Sequence, residues 1–188
     1  MQSYITEQLQ QLSRAAADLC SLAPQIEQAA HVCLDALRSG HKIIFCGNGG
    51  SAAQSQHLAA ELVGRYRLNR PALPALSLTV DTSNLTAIAN DYSFDQVFAR
   101  QLAGVGAAGD VLIGLSTSGN SRNVVLAMQQ AQIMDIRRIA LVGAKGGDMQ
   151  SLAELVLPVP ADSSAHIQEL HIAAGHLICD LIESSLYA

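Results

Sequence analysis

A histidine and a glutamate stand four residues apart in this chain, just behind a glycine-rich turn. An apolar run ends in the turn Gly47–Ser51, which has the sequence GNGGS, and His57 and Glu61 follow it. This spacing places both side chains on one face of a helix, where they can reach one metal ion or one substrate carbon. A solvated surface pair has the same spacing. The pattern therefore leaves a reactive centre and a surface pair as alternatives.

The glycine-rich turn fits neither of two common nucleotide-binding motifs, G-x-G-x-x-G and G-x-x-x-x-G-K-[ST]. Its glycines permit positive φ angles and close approach of a ligand to the backbone, while Asn48 and Ser51 add short hydrogen-bonding side chains. The simpler alternative is a tight strand-to-helix turn with Ser51 as the helix N-cap. A dinucleotide or ATP site is disfavoured in either case.

A second loop is rich in hydroxyl groups. Residues 116–121 have the sequence STSGNS and lead into an apolar helix. Hydroxyls around one glycine at a helix N-terminus form a donor-rich cradle for a phosphate monoester, and no lysine is needed. A capping turn alone does not require so many hydroxyls. The loop therefore predicts a phosphate site, and the two loops together could hold the two ends of one sugar phosphate.

Further polar groups lie near the end of the chain, where spacing alone does not select among them. They are His166, Gln168, Glu169, His171 and His176. Glu169 and His176 are seven residues apart and so lie nearly on one helix face, whereas His171 is compatible with a packed core histidine.

The pair Asn90 and Asp91 follows an apolar helical stretch. Such a pair is often a helix C-cap or a turn, and it is also short and polar enough to bind sugar hydroxyls. Both interpretations stay open at this point.

Short apolar runs alternate with helical segments after Gly40. These runs are continuous rather than alternating, which is typical of parallel strands buried on both faces. The predicted strands are Lys42–Cys46, Ala75–Leu78, Val111–Leu115, Arg138–Val142 and Leu155–Val159. We therefore expect an α/β fold, a three-layer αβα sandwich around a central, mostly parallel five-stranded sheet of the flavodoxin-like kind. In such sheets, ligands bind at the carboxyl ends of the strands, where the two loops lie.

Helical periodicity predicts the other elements, with two helices before the first strand and a long helix at the end of the chain. The predicted segments are about Ile5–Leu22, Ile26–Leu37, Ala52–Tyr66, Leu85–Asn90, Phe94–Ala103, Arg122–Met134 and Ala165–Leu186, with a short turn near Met149–Leu152. We expect residues 1–188 to form a single domain, in which residues 1–39 are an N-terminal helical extension.

Composition and charge argue against several classes of protein. The chain has 188 residues, 49% of them hydrophobic, and a net charge of −5 with only 11 Lys and Arg. Binding to nucleic acid through counterion release is therefore not expected. The four scattered cysteines indicate reduced thiols, most simply small core side chains. A polar N-terminus and the lack of a long apolar run predict a soluble cytoplasmic protein with no membrane partner.

Together, these motifs resemble the phosphoheptose isomerase family, a branch of the sugar isomerase (SIS) fold. The resemblance is carried by CGNGGSAAQSQHLAAELVGRYRLNRP at 46–71, LTAIANDYSFDQVFARQ at 85–101, GDVLIGLSTSGNSRNV at 109–124 and IQELHIAAGH at 167–176. It covers nearly the whole chain, and the joint occurrence of the motifs is specific. It implies interconversion of D-sedoheptulose 7-phosphate and D-glycero-D-manno-heptose 7-phosphate through an enediol, the first step of bacterial ADP-heptose and lipopolysaccharide core precursor synthesis.

The resemblance also implies roles for individual residues. It implies one zinc ion per subunit, with the ligands His57, Glu61, Gln168 and His176. The chemistry requires a base and an acid, for which we expect Glu61 and His176. The residues expected at the sugar phosphate are Asn48, Gly49, Gly50, Ser51, Glu61, Arg65, Asn90, Asp91, Ser116, Thr117, Ser118, Ser121 and Gln168.

Self-association is expected from the apolar helices at both ends of the chain and from its low content of charged residues, 14%. The resemblance implies a homotetramer with active sites at subunit interfaces, where Arg65 reaches a neighbouring site.

Two other functions match parts of the same sequence. A related branch keeps the fold and the phosphate loops but binds the bacterial replication initiator, and the segments LTAIAND and CDLIESSL resemble it equally well. That branch lacks the residues that stand here as Glu61 and His176, which favours the enzyme. A sugar-phosphate-sensing domain usually comes attached to a second domain, which we do not expect in a chain of this length.

Overall fold

The computed structural model describes residues 1–187, which form helical layers on both faces of one parallel sheet. The strands are β1 (Ile43–Gly47), β2 (Ala75–Ser77), β3 (Val111–Ser116), β4 (Arg137–Gly143) and β5 (Leu155–Val159). Their order is β2-β1-β3-β4-β5, and every pairing between the described strands is parallel. The predicted α/β sandwich with five strands is confirmed.

Eight α-helices are present in this described part of the chain. They are α1 (Gln2–Asp18), α2 (Ala23–Arg38), α3 (Gly50–Val63), α4 (Thr82–Asp91), α5 (Val97–Val105), α6 (Arg122–Ile133), α7 (Met149–Leu152) and α8 (Ser164–Tyr187). Short 3-10 helices at Leu19–Leu22 and Phe94–Gln96 connect α1 to α2 and α4 to α5. The two N-terminal helices and the long C-terminal helix are confirmed.

Two apolar cores hold the layers together, one on each face of the sheet. The first includes Ile43 of β1, Leu62 of α3 and Ile182 of α8, and the second includes Ile44 of β1 and Met128 of α6. Neighbouring residues of β1 enter opposite cores because successive strand side chains point to opposite faces. This burial on both sides explains why the strands are continuous apolar runs in the sequence.

Some predicted boundaries are wrong by a few residues, for identifiable local reasons. The helix predicted over Leu85–Asn90 begins earlier, at Thr82, because the Asp81 carboxylate caps it by accepting a hydrogen bond from the backbone N–H of Asn84, 2.9 Å away. The helix predicted over Ala52–Tyr66 spans Gly50–Val63 instead. Strand β5 has the predicted bounds.

The cysteines are all free, but only three of them are buried. Cys33, Cys46 and Cys179 lie in the interior, and burial raises the pKa of the Cys46 thiol to about 12. Cys20 is exposed, so the expectation that every cysteine is a core side chain is wrong at this position.

Among residues 1–187, no helix is both long and apolar enough to cross a membrane.

His171 is a core histidine, as one interpretation of the sequence anticipated. It is 0% exposed in α8, and within the described residues neither ring nitrogen has a hydrogen-bond partner. Burial lowers its pKa to about 4, while the nearby backbone of Val142 opposes that shift. The ring is therefore neutral at physiological pH.

This buried ring predicts a loss of stability in acid. The unfolded chain binds a proton at an ordinary histidine pKa of about 6.5, whereas folded His171 does so only near a pKa of about 4. The free energy of unfolding should therefore fall as the pH drops from about 6.5 toward 4. Above about pH 6.5, this ring should add nothing to the pH dependence of that free energy.

The test is urea unfolding of chelator-treated protein between pH 7 and pH 4. The unfolding midpoint should fall less steeply in His171→Leu than in the wild type. His31→Gln, which changes an exposed histidine of α2, should keep the wild-type slope. Equal slopes in wild type and His171→Leu would contradict the assignment.

Candidate functional site

The two loops marked by the sequence lie side by side at the carboxyl edge of the sheet. Strands β1 and β3 are neighbours, with Gly47 in register with Leu115, so the loops 47–51 and 116–121 leave the sheet together. The chain continues from β1 toward β2 on one side and from β3 toward β4 on the other. A crevice opens at such a switch point, and ligands of α/β proteins bind there.

A pair of side-chain amides joins the first loop to the start of α6, directly after the second loop. Asn48 Nδ2 donates to Asn123 Oδ1, and Asn123 Nδ2 donates to Asn48 Oδ1, both at 2.8 Å. Asn123 is only 3% exposed and lies at the second position of α6. A reciprocal pair of this kind requires two carboxamide side chains. The sequence pattern did not single out Asn123, although an asparagine at the start of an otherwise apolar helix is a weak signal.

The first loop needs its glycines for two different reasons. Gly49 has a φ of +55° and is the N-cap of α3, so the alternative with Ser51 as the cap is wrong. Ser51 lies inside the helix and is buried. At Gly50, a Cβ atom would lie 2.5 Å from Oε1 of Gln168, so only glycine allows that side chain to approach.

The hydroxyls of the second loop are partly engaged with one another. Ser116 Oγ lies 2.8 Å from Ser121 Oγ and accepts a hydrogen bond from the N–H of Gly119 at 3.2 Å. Ser118 Oγ accepts from the N–H of Asn120 at 3.1 Å. Ser121 is the N-cap residue of α6, whose first N–H groups point out of the helix end. The loop is therefore preorganised as a cradle of N–H and O–H donors.

A cavity of about 330 Å³ opens beside this cradle. Thr117 and Ser118 line it together with Lys145, which follows β4, and Ser164 at the start of α8. Thr117 Oγ1 lies 3.5 Å from Ser164 Oγ. The cavity has the size of a small-molecule pocket, and its polar lining combines these hydroxyls and the Lys145 ammonium with the carboxylate of Asp162.

Three ionisable side chains converge where α3 packs against α8. His57 Nε2 lies 2.9 Å from His176 Nε2 and 3.1 Å from Glu61 Oε1, and all three donor atoms lie within 4.8 Å of one another. This brings together residues 119 positions apart in the chain. Gly175 allows the close approach of the helices, because a Cβ there would lie 2.6 Å from Cδ2 of Leu58.

The three side chains are suitable ligands for a divalent metal ion. Zinc prefers imidazole nitrogens and carboxylate oxygens, and ligands about 2.0–2.1 Å from a tetrahedral ion lie about 3.3 Å from one another. The observed separations of 2.9 and 3.1 Å approach this value. The set can therefore hold a divalent metal ion.

Gln168 lies at the first loop. Its backbone carbonyl accepts a hydrogen bond from Gln54 Nε2 at 2.5 Å, and its side-chain amide covers Gly50. It stands eight residues before His176 in the same helix, which corresponds to about 12 Å along the axis. These contacts place the side-chain amide of Gln168 against Gly50 of the first loop.

Tyr66 is a site neighbour that the sequence pattern did not reveal. Its ring centroid lies 5.7 Å from that of His176, and the guanidinium of Arg67 lies over the Tyr66 ring, 5.4 Å from its centroid. An aromatic residue inside the basic segment GRYR is the only signal in the sequence. The ring therefore lies beside the cluster of His57, Glu61 and His176.

Three of the predicted substrate residues lie apart from the loops. Asn90 and Asp91 are exposed at the end of α4, where Asn90 Nδ2 donates to Asp91 Oδ1 at 2.9 Å. Arg65 is exposed and donates to the backbone oxygen of Arg67 at 3.4 Å. Within residues 1–187, none of the three forms a side-chain hydrogen bond to either loop or to the cluster.

Comparison with known proteins identifies close relatives of the whole chain. A family model described as an SIS domain matches residues 3–143. A phosphoheptose isomerase of Akkermansia muciniphila is 58% identical over 187 residues, which cover 100% of this chain and 99% of that protein. One from Sulfurimonas denitrificans is 49% identical over 190 residues, covering 100% and 97%. The solved phosphoheptose isomerase of Neisseria gonorrhoeae superposes with a TM-score of 0.92 at 44% identity, covering 97% and 98%.

The amide pair between the loops predicts a specific local effect. Replacing Asn123 by alanine should lower the free energy of unfolding by about 1–3 kcal/mol, because a buried hydrogen-bond partner is lost. Amide hydrogen exchange of residues 48–51 should accelerate, since the first loop loses its attachment to α6. Gln11→Ala, which removes a partly buried amide contact with Gln8 at 3.4 Å within α1, should change neither quantity appreciably. Unaltered exchange at residues 48–51 would refute the role of this pair.

Proposed function

This chain belongs to the phosphoheptose isomerases of the SIS-domain family, and on that basis we propose that it interconverts D-sedoheptulose 7-phosphate and D-glycero-D-manno-heptose 7-phosphate. The observation that carries the proposal is the convergence of His57, Glu61 and His176 where α8 packs against α3, the helix that follows the glycine-rich loop. Relatives with that activity in their names match the chain end to end.

We propose that His57, Glu61 and His176 hold one metal ion per subunit, with zinc as the expected ion. The resemblance adds Gln168 as the fourth ligand, whereas its amide lies against Gly50 in this structure. The separations of the donor atoms support the first three. When bound, the metal supplies Lewis-acid polarisation of the sugar carbonyl and stabilises the negative charge that develops on its oxygen.

Proton transfer falls to Glu61 and His176. Isomerisation moves a proton between neighbouring carbons, so it needs a base beside the C–H bond and an acid beside the oxygen. Glu61 directs Oε1 toward His57 at 3.1 Å, which leaves its second oxygen for the sugar carbon. His176 is half-buried next to it and can protonate the sugar oxygen, giving the enediol. Glu61 then returns its proton to the neighbouring carbon of the enediol while the hydroxyl on the first carbon loses its proton, which forms the new carbonyl group and completes the isomerisation.

The phosphate and the sugar are assigned to the two loops. The phosphate lies at Ser116, Thr117, Ser118 and Ser121, where hydroxyls and the N-terminus of α6 offer donors. The sugar lies along Asn48, Gly49, Gly50 and Ser51, with Gln168 above that loop. The Asn48–Asn123 pair supports this division because it sets the spacing between the two loops.

We also propose a homotetramer whose interfaces complete the active sites. No residue of α4 is buried within residues 1–187, and Tyr92 and Phe94 beyond it are each 59% exposed. Exposed apolar surface of this kind favours association between copies. In that assembly, Arg65, Asn90 and Asp91 reach the sugar of a neighbouring subunit.

The substrate also indicates where in the cell the enzyme acts and which biosynthesis it serves. We propose that the enzyme acts in the cytoplasm on a small sugar phosphate and catalyses the first step in the synthesis of ADP-heptose, a precursor of the lipopolysaccharide core. The alternative, an inactive adaptor for the replication initiator, is disfavoured because Glu61 and His176 are present and lie together.

Glu61→Gln tests the reactive centre. The variant should lose about 10²–10⁴-fold in kcat, the usual contribution of general acid–base catalysis. The measurements are metal content and turnover of sedoheptulose 7-phosphate. The matched control is Glu27→Gln, since Glu27 and His31 are another pair four residues apart, exposed and remote from the loops.

Two results would count against this assignment. Undiminished turnover in Glu61→Gln would remove Glu61 as the base. A wild-type protein that shows no turnover but binds the replication initiator tightly would establish the adaptor instead.

Ser118→Ala tests the phosphate cradle. The loss of one hydrogen bond to a charged phosphate costs about 1.5 kcal/mol or more, so KM should rise about tenfold while kcat changes little. Ser151→Ala is the control, because that hydroxyl donates to the Asp148 carbonyl on the surface, 2.9 Å away. A KM equal to that of the wild type would overturn the phosphate assignment.

A further inference from the structure

Glu183 is a buried carboxylate that no step above uses. It lies near the C-terminal end of α8, and its side chain is 1% exposed. Its oxygens accept backbone hydrogen bonds from Tyr66 at 2.9 Å, Arg67 at 2.5 Å and Leu68 at 2.7 Å. A fourth bond comes from Arg70 Nε at 2.7 Å. One carboxylate thus holds the entire turn that follows α3.

Arg70 binds the other side of that turn and is equally buried, with 1% of its side chain exposed. Its Nη2 donates to the backbone oxygen of Glu61 at 2.9 Å, and its Nη1 donates to that of Leu62 at 2.8 Å. These carbonyls belong to the last turn of α3, where helix oxygens lack intrahelical partners and a cation is favourable. The guanidinium therefore anchors the helix end that carries a proposed catalytic residue.

The pair connects the two halves of the proposed reactive centre. Glu183 follows His176 by seven residues, nearly on the same face of α8. Through Arg70 it reaches the end of α3, and through the N–H of Tyr66 it fixes the residue whose ring lies 5.7 Å from that of His176.

We infer that Glu183 and Arg70 are positioning residues for the isomerisation: together they hold α3, the turn after it and α8 at the spacing where the metal-binding donors converge. The inference rests on the proposed function, because it takes His57, Glu61 and His176 as the reactive centre. Neither Glu183 nor Arg70 touches the substrate in this assignment.

The chemistry of the pair suits a fixed attachment rather than a switch. Burial by itself would raise the pKa of Glu183, but the N–H groups of Leu68, Tyr66 and Arg67 and the Arg70 guanidinium lower it to about 2. The carboxylate is therefore charged throughout the physiological range. Compared with apolar packing, a buried ion pair adds little net stability, although removing one of its partners is costly. We therefore expect the main contribution of this pair to be the relative position of α3, the turn after it and α8.

The chain offers a matched control at the opposite edge of the sheet. Asp110, whose side chain is 1% exposed, accepts hydrogen bonds from the backbone of Lys42 at 3.0 Å, from its Nζ at 2.6 Å and from the N–H of Ala107 at 2.8 Å. It is the same kind of buried carboxylate, holding backbone N–H groups and one cation. It precedes β3, whereas the site follows that strand.

The experiment compares Glu183→Gln, Arg70→Lys and Asp110→Asn with the wild type. Lysine keeps the charge of Arg70 but lacks the planar guanidinium group, whose several N–H donors contact Glu183 and two backbone carbonyls at once. The measurements are zinc affinity by competition with a chromophoric chelator, the visible absorption spectrum of the cobalt-loaded protein, kcat and KM, and urea unfolding.

Zinc affinity and kcat should each fall by about tenfold or more in Glu183→Gln and Arg70→Lys, with a smaller change in KM and an altered cobalt spectrum. Asp110→Asn should lose comparable stability while its zinc affinity and kcat stay near those of the wild type. If Glu183→Gln does not fold, Arg70→Lys decides the question alone.

Two outcomes would overturn the inference. The first is that the folded variants of the pair keep the zinc affinity and kcat of the wild type. The second is that Asp110→Asn loses as much zinc affinity and kcat as they do, which would mean that the losses follow from reduced stability in general. A wild-type protein that binds no metal or does not turn over would instead refute the proposed function. The two failures are therefore distinguishable.

Discussion

The close packing of α8 against α3 is the contact on which the candidate site depends. Without a side chain at Gly175, Leu58 approaches the backbone of α8, and the nitrogens of His57 and His176 come within 2.9 Å. A larger residue at Gly175 would force the helices apart, since protein interiors are close-packed and do not absorb an added methyl group without displacement. The convergence of donors is thus a consequence of apolar packing directly beneath them.

The sheet supplies the second constraint, which is the relation between the two loops. Because β1 and β3 are neighbours and parallel, the glycine-rich and hydroxyl-rich loops emerge at the same edge. The amides of Asn48 and Asn123 then tie them together. A ligand with a phosphate at one end and a carbonyl at the other needs both loops at a set distance. The rigid strands and the amide pair provide this spacing before any ligand binds.

Several elements were predictable because their signal is local. The apolar runs identified all five strands, since burial on both faces leaves few polar positions, such as Arg137 and Arg138 at the start of β4. The i,i+4 spacing identified His57 and Glu61 as a pair, and the hydroxyl-rich sequence marked the second loop. Errors occurred where a single neighbour decided the outcome, as at Asp81, which starts a helix earlier than expected, and Gly49, which takes the N-cap position from Ser51.

By itself, the sequence determined the order of elements, the family, and the polar groups available for chemistry, because these depend on residue types and short spacings. The family resemblance already grouped His176 with His57, and the tertiary structure brings their nitrogens within 2.9 Å. Only the tertiary structure showed that Asn123 pairs with Asn48 and that Glu183 contacts the turn after α3. These partners are separated by 119, 75 and 113–117 residues in the chain. Periodicity carries no information about such pairs, since their meeting follows from strand order and from how closely two helices can pack.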